Sequence, residues 1–288
     1  MQYRWFCYTL IRRSKLRCNR AAANNPENYR RGWGMQTIRT FLVMVSLFLI
    51  MPGAGAFAED MTARDLIESC WDYMRGRASE SLVDMTIHRP EWERTMTIKA
   101  WTQGRSDSLF FIKAPPKDKG NATLKKGNDM WTYNPKVNRV IKLPPSMMSQ
   151  SWMGSDFSNN DLAKSDSIIQ DYDHTIESTH TRQDKTVYVI KSMPKPAAPV
   201  VWGMQRITMR EDFVLLEEIF YDEDLEPVKQ MTTQNIAPLG GRLFPTVWKM
   251  FKTDTPEAYT QLEYRSLTFT DDLPARLFTR SSLKNPPQ

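Results

Sequence analysis

The chain has 288 residues, of which 41% are hydrophobic and 11% aromatic, and its formal net charge is +6. This composition supports a substantial folded core and excludes a disordered chain. The positive charge does not indicate nucleic-acid binding, because residues 1–58 hold nine basic residues and one acid, which leaves 30 basic against 32 acidic residues in the remainder.

The N-terminal segment has the pattern of a secretory signal peptide. An apolar run over residues 41–51 follows Arg39, and small residues follow it up to Ala58. We expect cleavage after Ala58, which would leave residues 59–288 as one exported domain in the periplasm. The run is short for a bilayer span, so a retained anchor is the less favoured alternative. The leader is either unusually long or begins at Met35.

The first predicted element of the exported domain is a helix over residues 62–75. Thr62 can cap its N-terminus and Gly76 ends it. Cys70 lies on the apolar side of this helix and is the single cysteine after residue 58, so it forms no internal disulfide. We interpret Cys70 as a small buried hydrophobic residue, and the alternative is a reactive thiol.

The next segments alternate in polarity and predict strands. Residues 82–88 and 93–101 form an antiparallel hairpin with one apolar face, which is typical of a sheet covered by apolar material on one side. Three further strands, each stopped by proline, are predicted over residues 108–113, 130–133 and 139–143.

A short apolar segment follows these strands. Large apolar side chains recur at near-helical spacing from Met147 to Met153, and Gly154 closes the segment. We predict a helical turn over residues 147–153 beside the sheet. It is either ordinary core or an adaptable surface for apolar partners, because methionine side chains repack easily.

One stretch, WTYNPKVNRVIKLPPSMMSQSWMGSDFSNNDL, resembles the LolA-like outer-membrane lipoprotein-sorting family. An aromatic strand, a basic strand ending in prolines and a GSDF turn follow one another as in that family. The likeness is specific over residues 130–162 and extends more loosely from about Met61 to Lys284. It implies a mainly β fold with a few helices, in which a curved antiparallel sheet forms an incomplete barrel closed by short helices. It also implies an apolar cavity that holds acyl chains.

Strand patterns resume after the central stretch and favour an all-β sandwich or barrel. The predicted strands cover residues 173–181, 186–192, 205–210, 215–221, 228–236, 242–251 and 258–270. The proline-rich segment 193–199 is predicted as an exposed loop in preference to a domain linker. Residues 274–283 are predicted as a short closing helix.

Candidate residues for chemistry are few. His174 and His180 would lie about 20 Å apart along one strand, which is too far for a shared metal, so we expect no metal site. Motifs for serine hydrolases, phosphate loops and zinc proteases are missing from the sequence. One interpretation of Asp156 and Asp161 is an acid–base pair, but we interpret both as helix caps. We assign no catalytic residue and no cofactor.

The candidate lipid-binding residues are apolar side chains on the central strands and the Met-rich turn. They are Leu109, Phe111, Trp131, Tyr133, Met147, Met148, Trp152 and Met153. Each of these residues alone is better explained as core, and the family resemblance favours the binding role for the set.

The resulting prediction is a periplasmic, non-enzymatic carrier or chaperone of lipid or lipoprotein acyl chains, which transports or sorts them towards the outer membrane. An inner-membrane transporter is a candidate docking partner, and nucleic acid is not expected as one. The main alternative is an outer-membrane-side lipoprotein acceptor or envelope lipid sensor of the same fold. An envelope hydrolase is the weakest alternative.

Overall fold

The computed structural model describes residues 61–286, which lie in one compact unit. Their helices are α1 (Ala63–Arg75), α2 (Asn159–Ala163) and α3 (Ser167–Asp171). Their strands are β1 (Ala78–Arg89), β2 (Trp92–Gln103), β3 (Asp107–Ala114), β4 (Ala122–Lys126), β5 (Asp129–Asn134), β6 (Arg139–Lys142), β7 (Tyr172–Arg182), β8 (Lys185–Pro194), β9 (Met204–Arg210), β10 (Leu215–Tyr221), β11 (Pro227–Leu239), β12 (Arg242–Lys252) and β13 (Tyr259–Thr270). The predicted leader and its cleavage site after Ala58 lie outside the described residues.

Residues 61–286 build one antiparallel sheet of 13 strands, in the order β6-β5-β4-β3-β2-β1-β13-β12-β11-β10-β9-β8-β7. Strands that follow one another in sequence are neighbours in the sheet, except that β6 and β7 form its two edges and β1 pairs with β13. The curved sheet is therefore not closed into a barrel. The predicted fold class is confirmed.

The predicted strands are observed, and the seven after the central stretch begin and end within three residues of the prediction. β4 was not predicted, because its sequence ATLKK is only five residues long and is rich in alanine and lysine, which are depleted in strands. The loop prediction for residues 193–199 is confirmed in part: residues 195–199 are irregular and three of them are exposed, whereas Met193 and Pro194 belong to β8.

The first helix is also confirmed, because local signals determine both of its ends. Thr62 and Asp65 form a reciprocal capping box at its N-terminus, and Gly76 adopts a positive φ of 69° at its C-terminus. Its apolar face, including Cys70, is buried against the sheet. Cys70 is fully buried, and burial raises the pKa of its thiol, which fits a packing role.

The structure corrects two predicted helical segments. Residues 147–153 are not one helical turn: residues 148–151 separate the 3-10 turns at Pro145–Met147 and Trp152–Gly154, and Ser151 forms an isolated β-bridge with Ser158. The C-terminal segment forms a 3-10 turn only over Ala275–Phe278. After it, the Thr279 hydroxyl bonds to the Arg276 carbonyl and to serine hydroxyls, and such local side-chain bonds compete with helix formation.

Candidate binding cavity

A cavity of about 360 Å³ lies between the sheet and the helices. We call the sheet face that lines it the inner face and the opposite face the outer face. The volume of the cavity falls in the range of about 300–1,000 Å³ that is usual for small-molecule sites. Most of its lining side chains are apolar, and they include Val83, Ile98, Phe110, Trp202, Phe220 and Leu262. The cavity can therefore bury apolar material.

The cavity exists because small side chains occupy the inner face of β1 and β2. Ser79 lies opposite Thr102, and Ser81 lies opposite Ala100. The hydroxyl oxygens of Ser79 and Thr102 are 2.8 Å apart, so these two groups satisfy each other. Small groups at four paired positions leave space that larger residues of α1 do not fill.

The segment between β6 and α2 covers one side of the cavity. Trp152 is 7% exposed and lines the cavity, and its ring packs edge-on against Phe110 with centroids 5.5 Å apart. Its Nε1 donates a hydrogen bond to Thr123 Oγ1 at 3.0 Å. Trp152 thus belongs both to the packed core and to the cavity wall.

Asp156 fastens this segment to the sheet. Its carboxylate oxygens accept two hydrogen bonds of 3.1 Å from the Arg89 guanidinium and a third, of 2.7 Å, from the Thr260 hydroxyl. Its side chain is 8% exposed. The prediction that Asp156 caps a helix is wrong, because its oxygens are fully engaged with β1 and β13 instead.

Asp161 does cap a helix, as predicted. It forms a capping box with Ser158 at the start of α2. Its second role was not foreseen: the buried ammonium group of Lys229 on β11 donates to the Asp161 carboxylate, and both side chains are about nine-tenths buried. Asp161 therefore ties α2 to the inner face of the sheet.

Glu218 on β10 is a cavity residue that the sequence analysis missed. It is 6% exposed and lies on the inner face. Burial, together with the smaller effect of the nearby Asp161 charge, raises the pKa of its carboxyl to about 8 against the opposing effect of Lys229. The signal was present in the sequence LLEEIFY, where alternation places one of the two glutamates on the apolar side of the strand.

A second polar group lies at the C-terminal end of α1. Arg75 lines the cavity and donates to the Asp107 carbonyl at 3.1 Å and to the Ser108 hydroxyl at 2.9 Å, and burial lowers its pKa. Lys125 is almost fully buried and pairs with Asp166 at 2.8 Å. These groups are satisfied by the protein itself, so they position the helix against the strands.

Four of the predicted lipid-binding residues lie on the outer face. Leu109, Phe111, Trp131 and Tyr133 form a cluster there with Trp101 and Leu124. Three side chains of the C-terminal segment cover it, namely Leu277, Phe278 and Leu283. The structure thus brings these four residues together, away from the cavity.

The other four lie in the segment after β6. Met147 and Met148 are half-buried and pack beside Met130 and Leu143. Met153 packs in the cluster of Trp152, and Trp152 is the one of the eight that lines the cavity. Contact with lipid stays a prediction for all eight residues.

Two observations concern metal binding and membrane spans. No group of three or more His, Cys, Asp or Glu side chains that could hold a metal ion occurs among residues 61–286. Over the same range, none of the helices has the length and apolar character needed to cross a membrane.

Comparisons with known proteins agree with this architecture. A family model described as "Uncharacterized protein" matches residues 104–285. No curated protein matches the chain.

Similar solved structures include three bacterial proteins. A DUF1329 family protein from Desulfovibrio piger is 22% identical, with a TM-score of 0.68, and the match covers 77% of this chain and 97% of that one. A putative outer membrane lipoprotein-sorting protein domain from Vibrio parahaemolyticus is 19% identical, with a TM-score of 0.67 and coverage of 77% and 98%. A LolA superfamily protein from Nitrosomonas europaea is 22% identical, with a TM-score of 0.64 and coverage of 77% and 99%. At these identities the likeness establishes the fold, which is LolA-like.

Proposed function

We propose that this chain, which belongs to the uncharacterized family whose model it matches and has the LolA-like fold, is a carrier of lipid or lipoprotein acyl chains. It holds the acyl chain in the cavity and catalyses no reaction. The proposed carrier works in the periplasm and delivers its cargo towards the outer membrane.

The apolar cavity on the inner face is the observation that carries the proposal. Transfer of an acyl chain from water into such a site is favourable by roughly 0.8 kcal/mol per buried methylene. An unbranched hydrocarbon chain also fits the space above the small side chains of β1 and β2.

Two further points support the proposal. Two of the similar structures are described as a lipoprotein-sorting domain and as a LolA superfamily protein. The sequence of residues 39–58 has the pattern of a signal peptide, which agrees with export. We propose that release occurs when a partner, with an inner-membrane transporter as a candidate on the loading side, competes for the same apolar groups.

Lipid analysis of the exported protein tests this function. Purified without detergent, the wild-type protein should carry acyl lipid that mass spectrometry of an organic extract detects. Ala100→Phe places a ring into the space above β2, so we expect at least fivefold less bound lipid with an unchanged circular dichroism spectrum.

Thr95→Phe is the matched control, because the exposed Thr95 lies on the outer face of the same strand. It should retain the wild-type amount of lipid. A wild-type protein that carries no lipid and binds no fatty-acyl probe would contradict the carrier function. Transfer of bound lipid to acceptor vesicles separates a carrier from a lipid sensor, which would retain it.

A further inference from the structure

Glu218 is a buried carboxyl group that the packing of the protein does not explain. The residues opposite it on the neighbouring strands, Ile207 on β9 and Met231 on β11, are apolar and buried. Its side chain faces the cavity, and no group among residues 61–286 forms a hydrogen bond with its carboxyl group. His174 Nε2 is the one enclosed side-chain atom without a partner among residues 61–286, so the Glu218 oxygens stay open to the cavity, where a partner from outside the chain can reach them.

The nearest cation does not serve as that partner. Lys229 donates to the Asp161 carboxylate and to the Asp156 carbonyl, and its ammonium group lies 5.1 Å from the centre of the Trp202 ring. One lysine cannot balance two carboxylates in an apolar wall. Asp161 is also the better partner, because the capping box fixes it in place.

Glu218 is therefore held as the neutral acid near pH 7, in agreement with the rise of its pKa to about 8. A neutral carboxylic acid has one O–H donor, which requires an acceptor oxygen. The cavity supplies the apolar surroundings in which such a hydrogen bond is strong.

We infer that the Glu218 carboxylic acid donates a hydrogen bond to the carbonyl oxygen of an ester- or amide-linked acyl chain, so that the cavity recognises the linkage as well as the hydrocarbon chain. This inference rests on the proposed carrier function and names its cargo more closely. An ether-linked chain lacks the acceptor oxygen. A fatty-acid anion would place a further negative charge beside Asp161, so it is disfavoured.

A matched pair of probes isolates the carbonyl group. The ester 1-palmitoyl-lysophosphatidylcholine and the ether 1-O-hexadecyl-lysophosphatidylcholine share the headgroup and the chain length. Isothermal titration of the delipidated protein near pH 6.5, below the micelle concentration, gives both affinities. We expect the wild-type protein to bind the ester about fivefold to tenfold more tightly than the ether. This ratio of affinities corresponds to the free energy of one buried hydrogen bond.

Three variants separate the effect of the hydrogen-bond donor on the ester preference from the effect of the cavity shape. Glu218→Leu should bind both probes with equal affinity, because it keeps an apolar side chain and loses the donor. Glu218→Gln keeps an N–H donor and should retain a preference for the ester. Glu217→Leu is the control, since Glu217 lies on the other face of β10 and accepts from Gln230 at 2.6 Å; its preference should equal that of the wild type.

The pH dependence gives an independent readout. The ester preference of the wild type should fall towards one by pH 9.5, as Glu218 loses its proton. The other titratable groups near it are Asp161 of α2, Lys229 of β11, Cys70 of α1 and Tyr172 of β7. They are all retained in Glu218→Leu, so any pH dependence that remains in this variant belongs to them.

The outcomes distinguish a failure of the inference about Glu218 from a failure of the proposed carrier function. Equal binding of both probes by the wild type, or an ester preference that survives in Glu218→Leu, would overturn the role of Glu218 and leave the carrier function standing. Failure of the wild type to bind either probe would contradict the carrier function itself.

Discussion

Both faces of the sheet carry apolar clusters, yet the two clusters differ in what covers them. On the outer face, the cluster around Leu109 is closed by Leu277, Phe278 and Leu283, which are 4%, 2% and 0% exposed. On the inner face, small side chains such as Ala100 leave a cavity of about 360 Å³. An apolar face that the chain fills with its own residues contributes stability, and one that it leaves unfilled is available for a ligand.

The largest effect is expected on the filled face. Phe278→Ala removes a fully buried ring from the outer cluster and should lower the free energy of unfolding by about 3–5 kcal/mol. Urea denaturation measures this change. Acyl binding by the folded variant should equal that of the wild type, and loss of binding without loss of stability would place the ligand on the outer face.

On the inner face, the next largest effect depends on pH. The pKa of Glu218 is raised from 4.5 to about 8 in the folded protein, so the folded state binds this proton more tightly than the unfolded chain does. Stability from this group is complete below about pH 4.5 and is lost as the pH rises through 8. The slope is at most about 1.4 kcal/mol per pH unit, which gives about 2 kcal/mol between pH 6 and 8.

Glu218→Gln should lack this part of the pH dependence, which denaturation at several pH values detects. His174 also affects stability up to about its ordinary pKa of 6.5, because burial lowers its pKa to about 4, but this contribution is the same in the variant and in the wild type and cancels in the comparison. Identical slopes for the variant and the wild type between pH 6 and 8 would show that Glu218 is already ionised.

Asp156 tests how firmly the cover of the inner face is held. Asp156→Asn leaves the Arg89 guanidinium without its carboxylate and should destabilise the protein by about 2 kcal/mol. Asp271→Asn is the control, because its ion pair with Arg77 is exposed and should contribute less than about 0.5 kcal/mol. Equal effects of the two substitutions in thermal or urea denaturation would contradict the proposed role of Asp156.

The smallest effect is expected at Phe111, which the sequence analysis predicted to contact lipid. Phe111 is half-buried on the outer face, so Phe111→Ala should cost about 1 kcal/mol and leave acyl binding unchanged. Titration with a fatty-acyl probe checks this. A clear loss of affinity would support the sequence-based prediction for Phe111.

The fold was largely predictable from the sequence because its signals are local. Alternating residues define the strands of the β1–β2 hairpin, and Thr62 and Gly76 mark the ends of α1. The order of the sheet is simple as well, since most neighbours in the sheet follow one another in sequence.

The binding site was less predictable. Alternation shows which strand residues share a face, but contacts with segments distant in the sequence decide whether that face is the inner or the outer one. In the run SLFFIK, Leu109 and Phe110 are adjacent and equally apolar, but they point to opposite faces. The C-terminal segment that covers Leu109 lies far away in the sequence. Glu218 was missed for a related reason: alternation in β10 places one of two glutamates on the apolar side, but the burial of that side depends on α1 and on the loop before α2, which are distant in the sequence.

Photochemical crosslinking tests most directly whether the acyl chain occupies the inner face. A fatty-acyl lipid with a diazirine near the end of its chain is bound to the wild-type protein and irradiated, and peptides that carry the adduct are identified by mass spectrometry. We predict adducts on the cavity-lining residues of β1, β2 and β13, within residues 79–83, 98–102 and 262–267. Adducts confined to Phe111, Trp131 or residues 277–283 on the outer face would contradict the account.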